Sequence, residues 1–261
     1  MKEFEDLLRE GREALETGDY RAATRALRQA AQQQPESAET HLMLGEALAE
    51  DGKVKEAIAS FQKGRQLEPE NLEVLFALGD AFFEGQRPEE ALQVYRDILA
   101  LDDRQADAWV SVGLVNFNQE RVEQAMESFH KALQIEPDSI FAINSLGDAC
   151  FALGRNEEAL GHFRRVIELD PEDPQAYYNL TEMYYDADEL EAAEEACREV
   201  LRLDPAFAFA YLTLGNICLD QERPEEALSS FQEFLVLERS PGSKEIRDEV
   251  AAVVEGLKAE V

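Results

Sequence analysis

The sequence predicts an all-α chain of tandem antiparallel helix pairs, and three features of its spacing predict it. A small-residue signature recurs at intervals of 34 residues: Leu44–Glu46, Leu78–Asp80, Val112–Leu114, Leu146–Asp148, Leu180–Glu182 and Leu214–Asn216. Twelve residues after each small residue stands an alanine (Ala57, Ala91, Ala125, Ala159, Ala193, Ala227), and four further on a core-type residue (Phe61, Tyr95, Phe129, Phe163, Cys197, Phe231). Prolines close units at Pro35, Pro69, Pro137, Pro171 and Pro205, and no insertion disturbs the period. A fixed period of this length marks a unit that buries its apolar face only by stacking on its neighbours.

The elements follow in order. A degenerate first copy carries Gly11, Ala23, Leu27 and Pro35 in the same frame, and Lys2, Glu3, Glu5, Asp6, Arg9, Glu10, Arg12 and Glu13 give it a polar outer face. In the second unit Leu42, Leu44, Ala47 and Leu48 make one apolar helical face. Ala57, Ile58 and Phe61 make another after the Asp51–Gly52 break. Gly45 and Ala57 allow close approach of the two helices, and Phe61 is expected to fill space toward the following repeat. Pro69 ends the second helix, because its ring clashes with the preceding turn and it lacks an amide hydrogen. Pro88 and Pro224, each followed by Glu-Glu-Ala, suit the first turn of a second helix. Thr181 replaces the glycine of the sixth unit, which predicts looser packing there; Asp103 and Arg239 replace terminal prolines without breaking the period. Beyond Arg239, Ser240–Ser243 reads as a turn, with Ser243 a potential cap. Ile246, Val250, Val254 and Leu257 then form one stripe that docks a final helix on the last repeat.

This spacing resembles the tetratricopeptide repeat, over roughly residues 4 to 240. The resemblance implies a right-handed α-solenoid, a superhelix of antiparallel helix pairs, forming a single domain over residues 1–261. Its repeats run near 4–37, 38–71, 72–105, 106–139, 140–173, 174–207 and 208–241, with a capping helix at 243–258.

Bulk properties restrict the partners. The net charge of −31 at pH 7 opposes nucleic acid, whose phosphates need clustered Lys and Arg, and opposes an anionic membrane surface. It favours solubility and fast capture of basic partners. Arginines outnumber lysines, which fits a salt-rich milieu or a GC-rich genome. Met1–Asp6 leads straight into an amphipathic helix without the apolar stretch of a signal peptide, and no run approaches a membrane span. The expected location is cytoplasmic, with no direct membrane insertion.

Chemistry-bearing residues do not converge. His41, His130 and His162 occupy different positions in different repeats, so neither a metal site nor a catalytic triad is expected. Cys150, Cys197 and Cys218 fall at packing positions and read as reduced core thiols. Asp186–Leu190 lacks the glycine and closing glutamate of a calcium loop and reads as an inter-helix turn. No cofactor is expected, and the chain is expected not to be an enzyme.

In the resembled family, first helices line a concave groove through residues two, five, six, nine, twelve and thirteen of each unit. Carried onto this chain, that implies a peptide-binding groove containing Phe76, Asp80, Phe83, Phe117, Phe141, Asn144, Asp148 and Phe151. It continues with Tyr178, Asn179, Glu182, Tyr185, Asp186, Phe209, Asn216 and Asp220. Phe141 and Phe209 stand in the second slot, where other units have Glu5, Glu39, Glu73, Asp107 and Gln175. Slots two, nine and thirteen add Glu16, Glu46, Glu50 and Glu84 to the acids, with Arg12 the single base. The fifth slots (Leu8, Leu42, Phe76, Val110, Asn144, Tyr178, Leu212) hold no lysine, which opposes the carboxylate clamp used on heat-shock chaperones. A basic, amphipathic peptide or helix of another protein is the expected partner, so the chain reads as a non-enzymatic protein-interaction scaffold. Two alternatives stay open: homo-oligomeric assembly through the ends or the C-terminal helix, and a consensus-designed or reconstructed array.

Overall fold

The computed structural model describes residues 3–260; Met1 and Lys2, read above as part of the N-terminal polar face, lie outside them. The described residues are helical throughout, without strands, and fall into two compact units that meet in sequence at Pro137 and Asp138. The first unit contains α1 (Phe4–Glu16), α2 (Tyr20–Gln33), α3 (Ala38–Glu50), α4 (Val54–Leu67), α5 (Leu72–Glu84), α6 (Pro88–Leu101), α7 (Ala106–Asn118) and α8 (Val122–Ile135). The second contains α9 (Ile140–Ala152), α10 (Asn156–Leu169), α11 (Pro174–Asp186), α12 (Leu190–Leu203), α13 (Ala208–Asp220), α14 (Pro224–Leu237) and α15 (Lys244–Glu260). Within each unit consecutive helices pack as pairs, and each pair packs on the next.

Local chemistry explains the punctuation. Ser37, Asn71, Ser139 and Asp173 cap first helices by accepting a hydrogen bond from an amide of the opening turn. Pro88, Pro174 and Pro224 open helices where a missing amide hydrogen costs nothing. Every first helix ends on one residue in the left-handed region: Gly18, Gly52 and Gly154, but Gln86, Glu120, Asp188 and Glu222 in the others. The next amide then turns back to a carbonyl of the last turn, as Arg87 N does to Phe82 O at 2.9 Å and Glu189 N to Tyr184 O at 2.9 Å. Asp186–Leu190 is one of these corners.

The core of each pair is a ring set into a notch. A Cβ on Gly79 would lie 2.5 Å from Tyr95 and one on Gly147 2.5 Å from Phe163, and Gly45, Gly113 and Gly215 face Phe61, Phe129 and Phe231 in the same way. This corrects the expectation for Phe61: its ring turns back onto Gly45 of its own repeat, where the missing Cβ leaves room for a planar ring. Gly11 receives Leu27 instead. The sixth repeat reverses the arrangement. Thr181 fills the notch, Cys197 stands sixteen residues on in place of the ring, and both are fully buried. The Thr181 hydroxyl donates to Tyr177 O at 2.9 Å, and the Cys197 thiol donates to Ala210 O at 3.1 Å. Thr, larger than Gly, takes up part of the volume that Cys gives up in place of a ring, so the exchange offsets part of the expected loosening. All three thiols are free and buried, and burial pushes Cys197 up to about 12.

At the C-terminal end Val250, Val254 and Leu257 of α15 pack with Phe231, Phe234 and Cys218. Ile246, counted in the same stripe, is 38% exposed; it lies in the first turn of α15, just after the 3-10 turn at Pro241–Ser243. Val254→Asp therefore buries a charge and is expected to cost about 3 kcal/mol or more, whereas Val253→Asp, at a position 40% exposed, changes stability by less than about 0.5 kcal/mol. Urea unfolding of the two variants measures the difference.

Candidate functional site

In the second unit the inward-facing positions of α11 and α13 follow helical spacing. Tyr178, Glu182, Tyr185 and Asp186 repeat at i, i+4, i+7 and i+8 on α11, and Phe209, Leu212, Thr213 and Asn216 at i, i+3, i+4 and i+7 on α13. With Phe151 from α9 they enclose an open cavity of about 430 Å³. Leu212 and Thr213 line it although neither stands among the expected site residues. The signal for Thr213 was only a polar residue in the sixth slot, and its role depends on a partner 35 residues away.

The aromatic walls are held from behind. Tyr178 stacks at a tilt on Phe207, with centroids 4.9 Å apart, and its hydroxyl meets Thr213 Oγ1 at 3.3 Å. The Tyr185 hydroxyl donates to Asp220 Oδ2 at 2.7 Å, and Phe209 packs edge-on against Phe234 at 5.8 Å. Burial, with the charge of Glu182 nearby, pushes Tyr178 up to about 12 against the opposing Thr213 contact. Burial and the Asp220 carboxylate raise Tyr185 to about 12. Beside the cavity a polar chain links α11 to α9: Gln175 Nε2 donates to Asn179 at 2.9 Å, Asn179 to Asn144 at 2.8 Å, and Asn144 to Asp148 at 3.3 Å. Asp148 is pushed up to about 6, first by burial and then by the negative charge of Glu182. Phe141, also expected here, is not among the cavity's walls and is 59% exposed.

In the first unit Phe76, Asp80 and Phe83 occupy one face of α5, with Phe117 on α7; the three rings are partly buried and Asp80 reaches solvent. Asp80 is not a free acid: it accepts a 2.5 Å hydrogen bond from Tyr95, whose ring sits in the Gly79 notch. Crowding by protein raises the Asp80 carboxyl despite that bond, and burial followed by Glu73 raises Glu46. A hollow of about 540 Å³ in this unit is lined instead by Gln62, Arg65, Gln66, Leu78, Phe82, Glu90, Gln93 and Val94. These belong mainly to second helices, and none was expected at the site. The face of second helices is laced by Arg65–Asp97 and Arg121–Glu89 ion pairs at 2.7 Å.

No helix among the described residues is long and apolar enough to cross a membrane. The family model of the cytochrome c-type biogenesis protein H TPR domain matches residues 3–138, and tetratricopeptide repeat models match 147–187, 174–207 and 210–245. No curated protein sequence matches the chain. Among solved structures, a tetratricopeptide repeat protein from Parabacteroides merdae superposes with a TM-score of 0.78 at 21% identity, covering 97% of this chain and 98% of that one. The MamA protein reaches a TM-score of 0.57 at 28% identity over 65% of this chain and 92% of its own. YrrB, described as a TPR protein with an unusual peptide-binding site, reaches 0.52 at 21% over 72% and 97%. The fold is that of a protein-interaction scaffold, in a family generally without enzymatic activity. Helix pairs, notch-and-ring cores and family matches along the sequence agree: the chain belongs to the tetratricopeptide repeat family.

Proposed function

We propose that the second unit captures a basic, amphipathic segment of another protein on the face formed by α9, α11 and α13. The observation that carries this is the 430 Å³ cavity, in which rings from three helices stand beside the carboxylates of Glu182 and Asp186. Phe151, Tyr178, Tyr185 and Phe209 supply apolar contact; Asp148, Glu182, Asp186 and Asp220 supply charge; Asn144, Asn179 and Asn216 supply amides for backbone or side-chain hydrogen bonds. Phe141 extends the apolar rim. Phe76, Phe83 and Phe117 with Asp80 give the first unit a patch of the same composition.

Exposed ion pairs contribute only about 0.2–1 kcal/mol each, so affinity rests on ring burial while charge governs association rate and salt sensitivity. Titrating the chain with a basic amphipathic peptide tests this. Affinity is expected to fall as salt rises, and Phe151→Ala to weaken binding about tenfold, or about 1.4 kcal/mol. Binding indifferent to both salt and Phe151→Ala removes the reading.

A further inference from the structure

We propose that the cavity between α11 and α13 is an arginine socket: the guanidinium of one partner arginine enters among the rings, in contact with Glu182 and Asp186. This deepens the reading above and rests on it. That reading leaves open which side chain of a basic amphipathic segment occupies the cavity, and an aromatic-walled hollow would ordinarily take an apolar one.

The hydrogen-bonding inventory of the walls decides it. The Tyr185 hydroxyl gives its proton to Asp220 at 2.7 Å. The Thr213 hydroxyl gives its proton to Phe209 O at 3.2 Å, and the Tyr178 hydroxyl, 3.3 Å from Thr213 Oγ1, has the Glu182 carboxylate as a second partner within the protein. The hydroxyl protons around the cavity are therefore all committed to the protein. What remains directed to a ligand is chiefly acceptor capacity: the carboxylates of Glu182 and Asp186, one helical turn apart on α11 and both solvent-exposed, together with the Asn216 amide. No cationic side chain is among the wall residues. The Asn216 amide can donate as well as accept, but the two carboxylates only accept, so a ligand suited to such walls is rich in donors and carries positive charge. Guanidinium has five donors and no acceptor, and lysine ammonium three.

Shape separates these two. A guanidinium is planar, stacks on aromatic faces and reaches two acceptors at once through its fork, whereas an ammonium is a compact, strongly hydrated point charge. Phe151, Tyr178 and Tyr185 offer rings from two helices, and the ties to Phe207, Thr213 and Asp220 hold both tyrosines before any ligand arrives. Less side-chain freedom is then lost on binding. The two carboxylates a turn apart match a fork better than a point.

Fluorescence anisotropy with the full chain tests the socket. The probes are four labelled peptides of one amphipathic, helix-forming sequence, whose central residue is arginine, lysine, citrulline or norleucine and whose other residues are neutral. The arginine peptide is expected to bind at least tenfold more tightly than its citrulline or norleucine counterparts and several-fold more tightly than the lysine one. Glu182→Gln with Asp186→Asn, both at exposed positions, is expected to abolish that preference while circular dichroism stays unchanged. In two-dimensional NMR, the arginine peptide should shift the ring resonances of Tyr178 and Tyr185. Equal or tighter binding of the norleucine peptide overturns the socket but leaves the groove reading standing, with an apolar anchor. Equal binding of arginine and lysine peptides also overturns it, since fork and stacking then have no role. Failure of all four peptides, and of the basic amphipathic peptide used above, removes both readings.

Discussion

Cys197→Phe alone is expected to destabilise the second unit by about 2–3 kcal/mol, and adding Thr181→Gly to restore most of the loss. In the neighbouring repeats a ring occupies the notch left by a glycine, so tightly that a Cβ on Gly147 would approach Phe163 to 2.5 Å. At the sixth repeat the notch already holds Thr181, fully buried, so a phenylalanine at 197 must push α11 and α12 apart or leave its rotamer, the overpacking that costs about 1–3 kcal/mol. Thr181→Gly alone leaves a hole opposite Cys197 and adds the helix penalty of glycine, together about 2 kcal/mol. The double variant recreates the pairing of Gly147 with Phe163. Its loss should fall well below the sum of the two single losses, a coupling of about 2 kcal/mol or more between residues in contact. Hydrogen exchange of the α11 and α12 amides reads the local effect, which matters because repeat arrays need not unfold as one cooperative unit. Additive losses would mean that the two positions do not share a notch.

Asp148→Asn is expected to act in opposite directions on stability and on binding. The Asp148 carboxyl is pushed up to about 6, chiefly by burial and secondarily by Glu182, against an ordinary carboxylate value near 4. A carboxyl whose pKa is raised on folding opposes folding in its charged form. The cost is absent below the ordinary range, develops as pH rises from about 4 to 6, and is fully present at pH 7. Two units correspond to nearly 3 kcal/mol. Partial solvent access reduces this to about 1–2 kcal/mol, the gain expected for Asp148→Asn at pH 7. Asparagine keeps an acceptor for Asn144. At pH 4 wild type and variant should be equally stable. Binding of a basic peptide at pH 7 should weaken several-fold in the variant. In the wild type, acidification from pH 7 to pH 5 should weaken it similarly, because Asp148 takes up its proton there. Urea midpoints at the two pH values, with peptide titrations alongside, check both halves. A variant that is no more stable at pH 7 would show that the burial of this charge carries no energetic weight.

Much of the fold was legible because its determinants are local and periodic. Gly45, Ala57 and Phe61 recur in one frame, and the caps at Ser37 and Asn71 and the prolines at 88 and 224 act within a single turn of their own positions. What the period concealed were choices between neighbours. It pointed Phe61 toward the following repeat, whereas the ring lies on Gly45 of its own, and it put Ile246 on the stripe of Val250 although Ile246 is exposed. It also flagged Thr181 and Cys197 as separate departures, whereas their compensation is a property of the pair. For the candidate site, Tyr178, Glu182, Tyr185 and Asp186 were grouped by the groove slots that the family resemblance implies. The depth of the cavity was not legible, since it depends on Phe207 and Phe234 bracing two of its rings and on Thr213 meeting Tyr178 from the next helix pair. Tyr95 is the clearest case: sequence read it as a core residue in place of phenylalanine, but its hydroxyl fixes the position of Asp80.

The notch and its ring lie within one hairpin, so each hairpin carries both halves of its own lock. Such a part can be duplicated or deleted whole without leaving a mismatched half behind. The sixth hairpin obeys the same rule with its own gauge. A crossover with a glycine-and-ring sibling falling between positions 181 and 197 would set Thr against a ring or glycine against Cys, so recombination that preserves the fold must cut in the loops between hairpins, not in the loop within one.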